Sequence, residues 1–491
     1  MLTLADIAAG ICERQSDRDT WASARGIEIS KAVIDSREAA PGCLFVALPG
    51  EHLHGHDFIP QALAAGAVAV ITERMPRSFP GTVLDLREPA QGLPSLTVPI
   101  CLVVASSLAA LQGAAGLWRR RHSVRVISIT GSIGKTTCKE LIAAVLSRRY
   151  HTLRSLGNYN NELGLPLTLL QLDSSHERVV LEMGMYALGE ISHLAEIALP
   201  QVGVVTNVGP SHLERLGTID RIAQAKGELP RSLPTAQEGG VAILNADDEW
   251  VRAMAQYTQA RVFTYGLSPD ADLWADEIES EGLEGIRFRF HLGRQTVKAH
   301  LPILGRHSVH SALAAASVAL TEGMAWSDII SGLTEQAAQL RIVVAAGPAG
   351  STIIEDVYNS SPASALAALN LLAELNGRKL AVLGGMQELG SFALEGHKLV
   401  GRRAREITDR LVTVGTLGRL IGEQALAAGM PPPAVYMVES NAEAAALLLE
   451  LIEPGDVLLV KGSRTIKMEE IVATLTSQTS ITPASGGAKE R

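Results

Sequence analysis

The stretch Val124-Arg-Val-Ile-Ser-Ile-Thr130-Gly131-Ser132-Ile133-Gly134-Lys135-Thr136-Thr137 decides how the chain folds, because a β-branched run ends in a glycine turn that closes on Lys-Thr. A strand, a turn and a helix start in this order make a cradle for phosphate. Glycines let backbone N–H groups converge on phosphate oxygens, Lys135 supplies a point charge, and the Thr136 hydroxyl suits magnesium. Thr130, Gly131, Ser132, Ile133, Gly134, Lys135, Thr136 and Thr137 are therefore the candidate nucleotide contacts. The common phosphate-loop pattern has glycine five positions before Gly134, where this chain has Ile129, so its turn is a shorter variant.

Working outward, residues 106–333 alternate strands at 124–130, 178–182, 202–206, 241–245 and 261–265 with helical stretches. This alternation predicts a central α/β domain with a mainly parallel, doubly wound sheet. It restarts in residues 334–479, with strands at 352–355, 379–383, 410–414, 435–438 and 456–461, which predicts a second open α/β domain. Residues 1–105 carry short strands at 43–48 and 68–72 between glycines and prolines and read as a small α/β domain. Residues 480–491 are polar and turn-rich, the composition of a disordered tail.

A chain of 491 residues is too long for one core, which agrees with several domains. Its formal charge of −9 gives no basic footprint for nucleic acid or an anionic membrane. Cysteines at 12, 43, 101 and 138 have no metal-ligand spacing and fit a reducing compartment. The first residues lack the basic and apolar blocks of a secretory signal, so a cytoplasmic location is expected. Residues 98–118 are mostly apolar and precede Arg119, Arg120 and Arg121. They read as a short buried strand and a helix capped by Ser106 or Ser107, with the arginines at the helix C-terminus, and not as a membrane span.

Ligands of open α/β sheets gather at the carboxyl ends of the strands, so polar residues there are the next candidates. Glu182 ends an apolar strand and is either a magnesium ligand near the phosphates or a solvated carboxylate. His212 follows another strand, and Lys226 is by itself an ordinary helix lysine. The run Gly157-Asn158-Tyr159-Asn160-Asn161 is a polar turn or an amide cluster that hydrogen-bonds a polar substrate. Asp356 can reach a ribose hydroxyl and Tyr358 a base, the alternative being a helix cap and a half-buried tyrosine. Lys461, Ser463 and Arg464 can receive a carboxylate or phosphate, or form a basic loop.

Taken together and in order, these motifs resemble the Mur ligases, ATP-dependent amide-forming enzymes of peptidoglycan precursor synthesis. The supporting motifs are Asp35-Ser36-Arg37, the short phosphate loop, Gly157 to Asn161, Glu182-Met-Gly184, His212-Leu-Glu214, Ala225-Lys-Gly-Glu228, Gly305-Arg-His307, Asp356-Val-Tyr-Asn359, Glu388-Leu-Gly390 and Lys461-Gly-Ser-Arg464. The resemblance covers nearly the whole chain except the tail. It implies a domain for a UDP-sugar peptide, a central ATPase, and a Rossmann-like domain for the incoming amino component. It further implies that Thr136 and Glu182 hold one magnesium ion, that His212 helps hold a second, and that Lys226 is carbamylated to serve the metal site. Lys135, His212 and Lys226 would be the catalytic set. His307, Arg341, Asp356, Tyr358 and Asn359 would reach the nucleotide. Ser36, Arg37, Asn158, Asn160, Asn161, Lys461, Ser463 and Arg464 would meet the other substrates. Where the family carries Asn beside adenine, this chain has Ser308 and Ser311, and Gly385 and His54 stand where it carries acids.

The activity implied is ligation of D-alanyl-D-alanine to UDP-N-acetylmuramoyl-tripeptide through an acyl phosphate, by a monomer using ATP and Mg2+. A rival is the ligase that adds the third amino acid, but its Asp-Asn-Pro-Arg loop is replaced here by Tyr358-Asn-Ser-Ser-Pro362. A folylpolyglutamate synthetase would leave the Asp35-Ser36-Arg37 domain without a purpose. An ATP-hydrolysing conformational switch is the reading from outside the ligases.

Overall fold

The computed structural model describes residues 1–12, 21–50, 53–87, 95–157, 159–211, 213–336 and 343–479. In the strand Arg125–Thr130 every residue after Arg125 is buried, so both faces need helical cover. On one face Ile127 and Ile129 pack against apolar side chains of the helices Lys135–Leu146, Ser308–Thr321 and Trp326–Gln336. On the other, Val126 joins Val179 and Leu181 under the helices Ser107–Arg120, Gly164–Leu169 and Glu190–Ala198.

This strand lies within a nine-stranded sheet ordered Gln295–Leu301, Ile286–Leu292, Leu273–Ser280, Arg261–Gly266, Val241–Asn245, Val202–Val205, Arg125–Thr130, Arg178–Glu182 and Thr152–Arg154. Pairing is parallel from Leu273–Ser280 onward, and the first two strands add on antiparallel. The expected strands stop at 265, whereas the sheet continues to 301. The missed signal is alternation: Ile286, Phe288 and Phe290 are buried while Arg287, Arg289 and His291 point away, the pattern of an antiparallel strand with one covered face.

The N-terminal sheet is wholly parallel, in the order Ala32–Val33, Leu44–Val46, Ala69–Thr72, Ile100–Val103 and Thr82–Asp85. The helix Ser107–Arg120 lies between it and the central sheet, and its apolar residues join one core that spans both. Ser106 caps this helix, its Oγ accepting from Ala109 N at 3.2 Å. At its other end Arg119 is buried and donates to the carbonyls of Ala198, His122, Val124 and Leu199. No helix among the described residues is long and apolar enough to cross a membrane.

The third sheet runs Val343–Ala346, Thr352–Asp356, Val457–Lys461, Lys379–Gly384, Arg410–Val414 and Val435–Val438, with the first strand antiparallel and the others parallel. Apolar clusters cover both of its faces. The α/β class and the parallel-rich sheets thus agree with the sequence reading.

Two registers matter for the site. Ile129 pairs with Glu182 and Thr130 with Val205, so the phosphate turn, Glu182 and Thr206 leave the sheet along one edge. At the opposite edge, Glu322 beyond the helix Ser308–Thr321 ties that helix to the strand starts. Its carboxylate, nearly buried, bridges Arg125 Nε at 2.5 Å and Arg178 Nε at 2.8 Å. Glu322→Ala strands two partly buried guanidinium groups and is expected to cost about 3 kcal/mol or more, read as a lower thermal midpoint of the central-domain transition.

Candidate active site

The chain passes from strand to helix through Gly131 and Gly134, and Gly134 adopts φ +79°, the left-handed conformation glycine takes without strain. A side chain at Gly131 would collide with the Thr206 hydroxyl. The turn is braced from behind by the next strand end. Asn207 Oδ1 accepts from Ile133 N at 2.9 Å, and Ile133 O accepts from Thr206 Oγ1 at 2.7 Å and Asn207 Nδ2 at 3.0 Å. Ser132 Oγ exchanges hydrogen bonds with the Gly209 backbone. Lys135 folds over the turn, its Nζ donating to Gly131 O at 2.9 Å and Ser132 O at 3.4 Å. Thr130 Oγ1 donates to Met183 O at 2.9 Å, fastening the turn to the strand that carries Glu182.

Glu182 is buried and held at both oxygens. Thr136 Oγ1 donates to Oε2 at 2.5 Å and Asn160 Nδ2 to Oε1 at 2.9 Å. Asn161 turns its side chain inward, Oδ1 accepting from Leu163 N and Gly164 N to start the next helix. A hydroxyl and a carboxylate facing each other at the first turn of the phosphate-loop helix are hard oxygen donors, the set magnesium prefers. Among the described residues, the cluster with general metal-ligand geometry is instead His151, Asp173 and His176, at the amino ends of the strands and away from the turn.

Lys226 is 2 % exposed and, among the described residues, has no hydrogen-bond or ion-pair partner. Burial holds its pKa well below the usual lysine value, and the nearby Lys135 charge pushes the same way. A bare ammonium there opposes Lys135 and repels a cation. A neutral amine does neither.

Across from the turn, residues of the third sheet complete a cleft of about 1400 Å³. It is lined from one side by Ser132 to Thr137, Asn160, Asn161 and Glu182, and from the other by Asp356, Tyr358, Asn359, Lys461, Ser463 and Arg464. Lys461 is fully buried, and its Nζ donates to Asp356 Oδ2 at 2.7 Å and Asn359 O at 2.8 Å, so it fixes those residues in place. Ser463 Oγ accepts from Gln387 N at 3.0 Å, and the Arg464 guanidinium lies 5.7 Å from the centre of the Tyr358 ring. His307 and Ser311 also face the cleft. Ser308 reaches back to Leu304 O at 2.8 Å.

Ser36 and Arg37 lie outside this cleft, in the N-terminal sheet region. Ser36 Oγ donates to Gln61 Oε1 at 2.9 Å, and exposed Arg37 forks onto Asp35. Burial and then the charges of Glu38 and Asp35 raise the Tyr159 pKa, so Tyr159 lies near those two acids. Asn158, His212, Arg341 and the 480–491 tail lie outside the described residues. Sequence reasoning missed Thr206 and Asn207, which brace the turn, and Glu228, which accepts from Gly189 N and Ser192 N beside the cleft. The first two sit at a strand end, the signal used for Glu182; Glu228 sits in a helix and carries no such signal.

A phosphate turn at the carboxyl edge of a parallel sheet, facing a Rossmann-like sheet across a cleft, defines a nucleotide-handling α/β protein. Family models agree along the chain: Mur ligase middle domain at residues 129–319, Mur ligase glutamate ligase domain at 340–464, and Mur ligase family catalytic domain at 28–80. The UDP-N-acetylmuramoyl-tripeptide–D-alanyl-D-alanine ligase of Synechocystis is 36% identical over 92% of this chain and 93% of its own. The ligase of the same name from Escherichia coli is 34% identical, covering 91% and 94%. Among solved structures, MurF from Acinetobacter baumannii superposes with a TM-score of 0.80 at 31% identity, covering 96% and 98%. MurF from Thermotoga maritima in complex with ADP gives 0.75 at 27%, covering 92% and 98%. The chain belongs to the Mur ligase family.

The Lys226 environment has a measurable consequence. Its folded pKa lies below its unfolded one, so below the unfolded value the unfolded chain binds the extra proton and stability falls with falling pH. Lys226→Met, measured without carbon dioxide, is expected to raise the thermal midpoint by about 2–4 °C for each kcal/mol relieved. The gain should be larger at pH 7 than at pH 9.

Proposed function

We propose that the chain is an ATP-dependent amide ligase that joins D-alanyl-D-alanine to UDP-N-acetylmuramoyl-tripeptide in peptidoglycan precursor synthesis. The observation that carries this is the Thr136, Glu182 and Asn160 contact beside the phosphate turn, facing the Asp356–Lys461 pair across one cleft. Such a cleft can hold a nucleoside triphosphate and an acceptor together, which hydrolysis alone does not require. The near-complete coverage of relatives with this activity supports the same substrates.

In this reading the terminal carboxylate of the tripeptide attacks the γ-phosphorus of ATP. The bond to the β-phosphate oxygen breaks, and ADP leaves. The neutral dipeptide amine then adds to the acyl carbon of the acyl phosphate, and inorganic phosphate departs with the former carboxylate oxygen while the nitrogen gives up one proton and keeps the other as the amide N–H. Catalysis of phosphoryl transfer is mostly positioning and electrostatics. Lys135 exchanges its loop carbonyls for phosphate oxygens, and the Gly131 to Thr137 backbone cradles them. Thr136 and Glu182 would hold magnesium, with His212 toward a second ion, and the metal would offset phosphate charge.

Neutral Lys226 is the form that adds to carbon dioxide, losing one proton to give a carbamate. That puts an anionic oxygen donor in place of a neutral amine. Asp356, His307, Tyr358, Asn359 and Arg341 serve the nucleotide. Ser36, Arg37, Asn158, Asn160 and Asn161 serve the sugar peptide, and Ser463 and Arg464 the incoming dipeptide, with Lys461 holding Asp356. Closure of the cleft excludes water from the acyl phosphate. In this reading the enzyme acts as a monomer in the cytoplasm, where its nucleotide substrates are made.

With ATP and both substrates, the pentapeptide product is expected by mass. No product, with phosphate release indifferent to either substrate, would favour the conformational switch and sink the ligase. Lys135→Ala is expected to lower turnover about a hundredfold or more. Lys226→Ala should lose activity that small carboxylates partly restore; full activity without them excludes the carbamate.

A further inference from the structure

Lys139 is the least exposed charged side chain near the site, with 0 % of its surface accessible, and the mechanism above makes no use of it. Burying an ammonium is costly unless it is fully paired. Here all three of its N–H groups find acceptors. Nζ donates to Ser155 O at 2.7 Å and lies 3.4 Å from Gly157 O, and it pairs with Glu140 Oε1 at 2.9 Å. Two of the three acceptors are backbone carbonyls of the segment that leads into the amide cluster. A lysine whose charge is spent on a connecting segment is placing that segment.

The segment in turn reaches Glu182 at two points. Ser155 Oγ accepts from Glu182 N at 3.2 Å, and Asn160 Nδ2 donates to Glu182 Oε1 at 2.9 Å. Asn160 is also pinned by its carbonyl, which accepts from Gly184 N at 2.7 Å. One helix, Lys135–Leu146, thus grips the same carboxylate twice. Thr136 does so directly at Oε2, while Lys139, one turn further along, fastens the Ser155 and Gly157 carbonyls on the same side as Asn160, which reaches Oε1.

We infer that Lys139 is a positioning residue for the Glu182 carboxylate, setting the affinity of the site for its divalent cation through Ser155, Gly157 and Asn160. This rests on the reading that Glu182 is a cation ligand. Groups that orient a metal ligand without touching the metal change affinity by about 10–100-fold.

The test is Mn2+ binding to the full chain with ADP, followed by electron paramagnetic resonance, which needs no turnover. Lys139→Met is expected to weaken Mn2+ about tenfold, and Asn160→Ala by a similar factor. The double variant should be no worse than about twofold beyond the weaker single one, because both act on one path. Should Lys139→Met not fold, Lys139→Arg keeps the charge but displaces the segment, and the same weakening is expected. Mn2+ affinity unchanged in the Lys139 variant, or penalties that multiply in the double variant, would overturn the inference. Glu182→Gln separates the two readings: if it binds Mn2+ as the parent does, the cation role falls and this inference with it. Absence of amide product from the parent chain would instead remove the ligase reading and leave the binding result standing.

Discussion

The site depends on a single constraint. The chain must reverse from the strand Arg125–Thr130 into the helix Lys135–Leu146 within four residues while keeping its backbone turned toward a ligand. Glycine at 131 and 134 makes the reversal possible, and the Thr206–Asn207 strand end makes it rigid. Parallel neighbours with fixed register then deliver Glu182 and Thr206 to the same edge without further instruction. Rigidity matters because a positioned donor contributes to a transition state only if it need not reorganise at that moment.

Charge follows the same economy. A chain of net charge −9 that handles phosphates needs cations placed where the phosphates go. Lys135 is aimed at the turn. Lys461 and Lys139 are buried and committed to Asp356 and to the 155–157 carbonyls, so they act as struts. Lys226 is the exception, buried beside another cation with no described partner.

Much of this was legible in the sequence because local rules and global fold agree along 124–137: β-branched strand, glycine turn and helix start are all near in sequence. Strand-end placement likewise singled out Glu182 and Asp356. Two kinds of feature were not legible. Lys461 read as a ligand cation, but whether its ammonium faces a cleft or a carboxylate depends on the pairing of Thr352–Asp356 with Val457–Lys461, a contact across about a hundred residues. Nothing in the sequence singles out Lys139, since its acceptors are backbone carbonyls that any sequence supplies. The strands from 273 to 301 differ again: their signal is local, the alternation of buried Ile286, Phe288 and Phe290 with outward Arg287, Arg289 and His291.

The central claim is that the γ-phosphate passes to a peptide carboxylate before it is released. It is tested most directly by labelling the terminal carboxylate of UDP-N-acetylmuramoyl-tripeptide with oxygen-18 and analysing the phosphate formed on amide synthesis. The account predicts one labelled oxygen in each inorganic phosphate, carried over when the acyl phosphate is cleaved. Unlabelled phosphate accompanying amide product would contradict it.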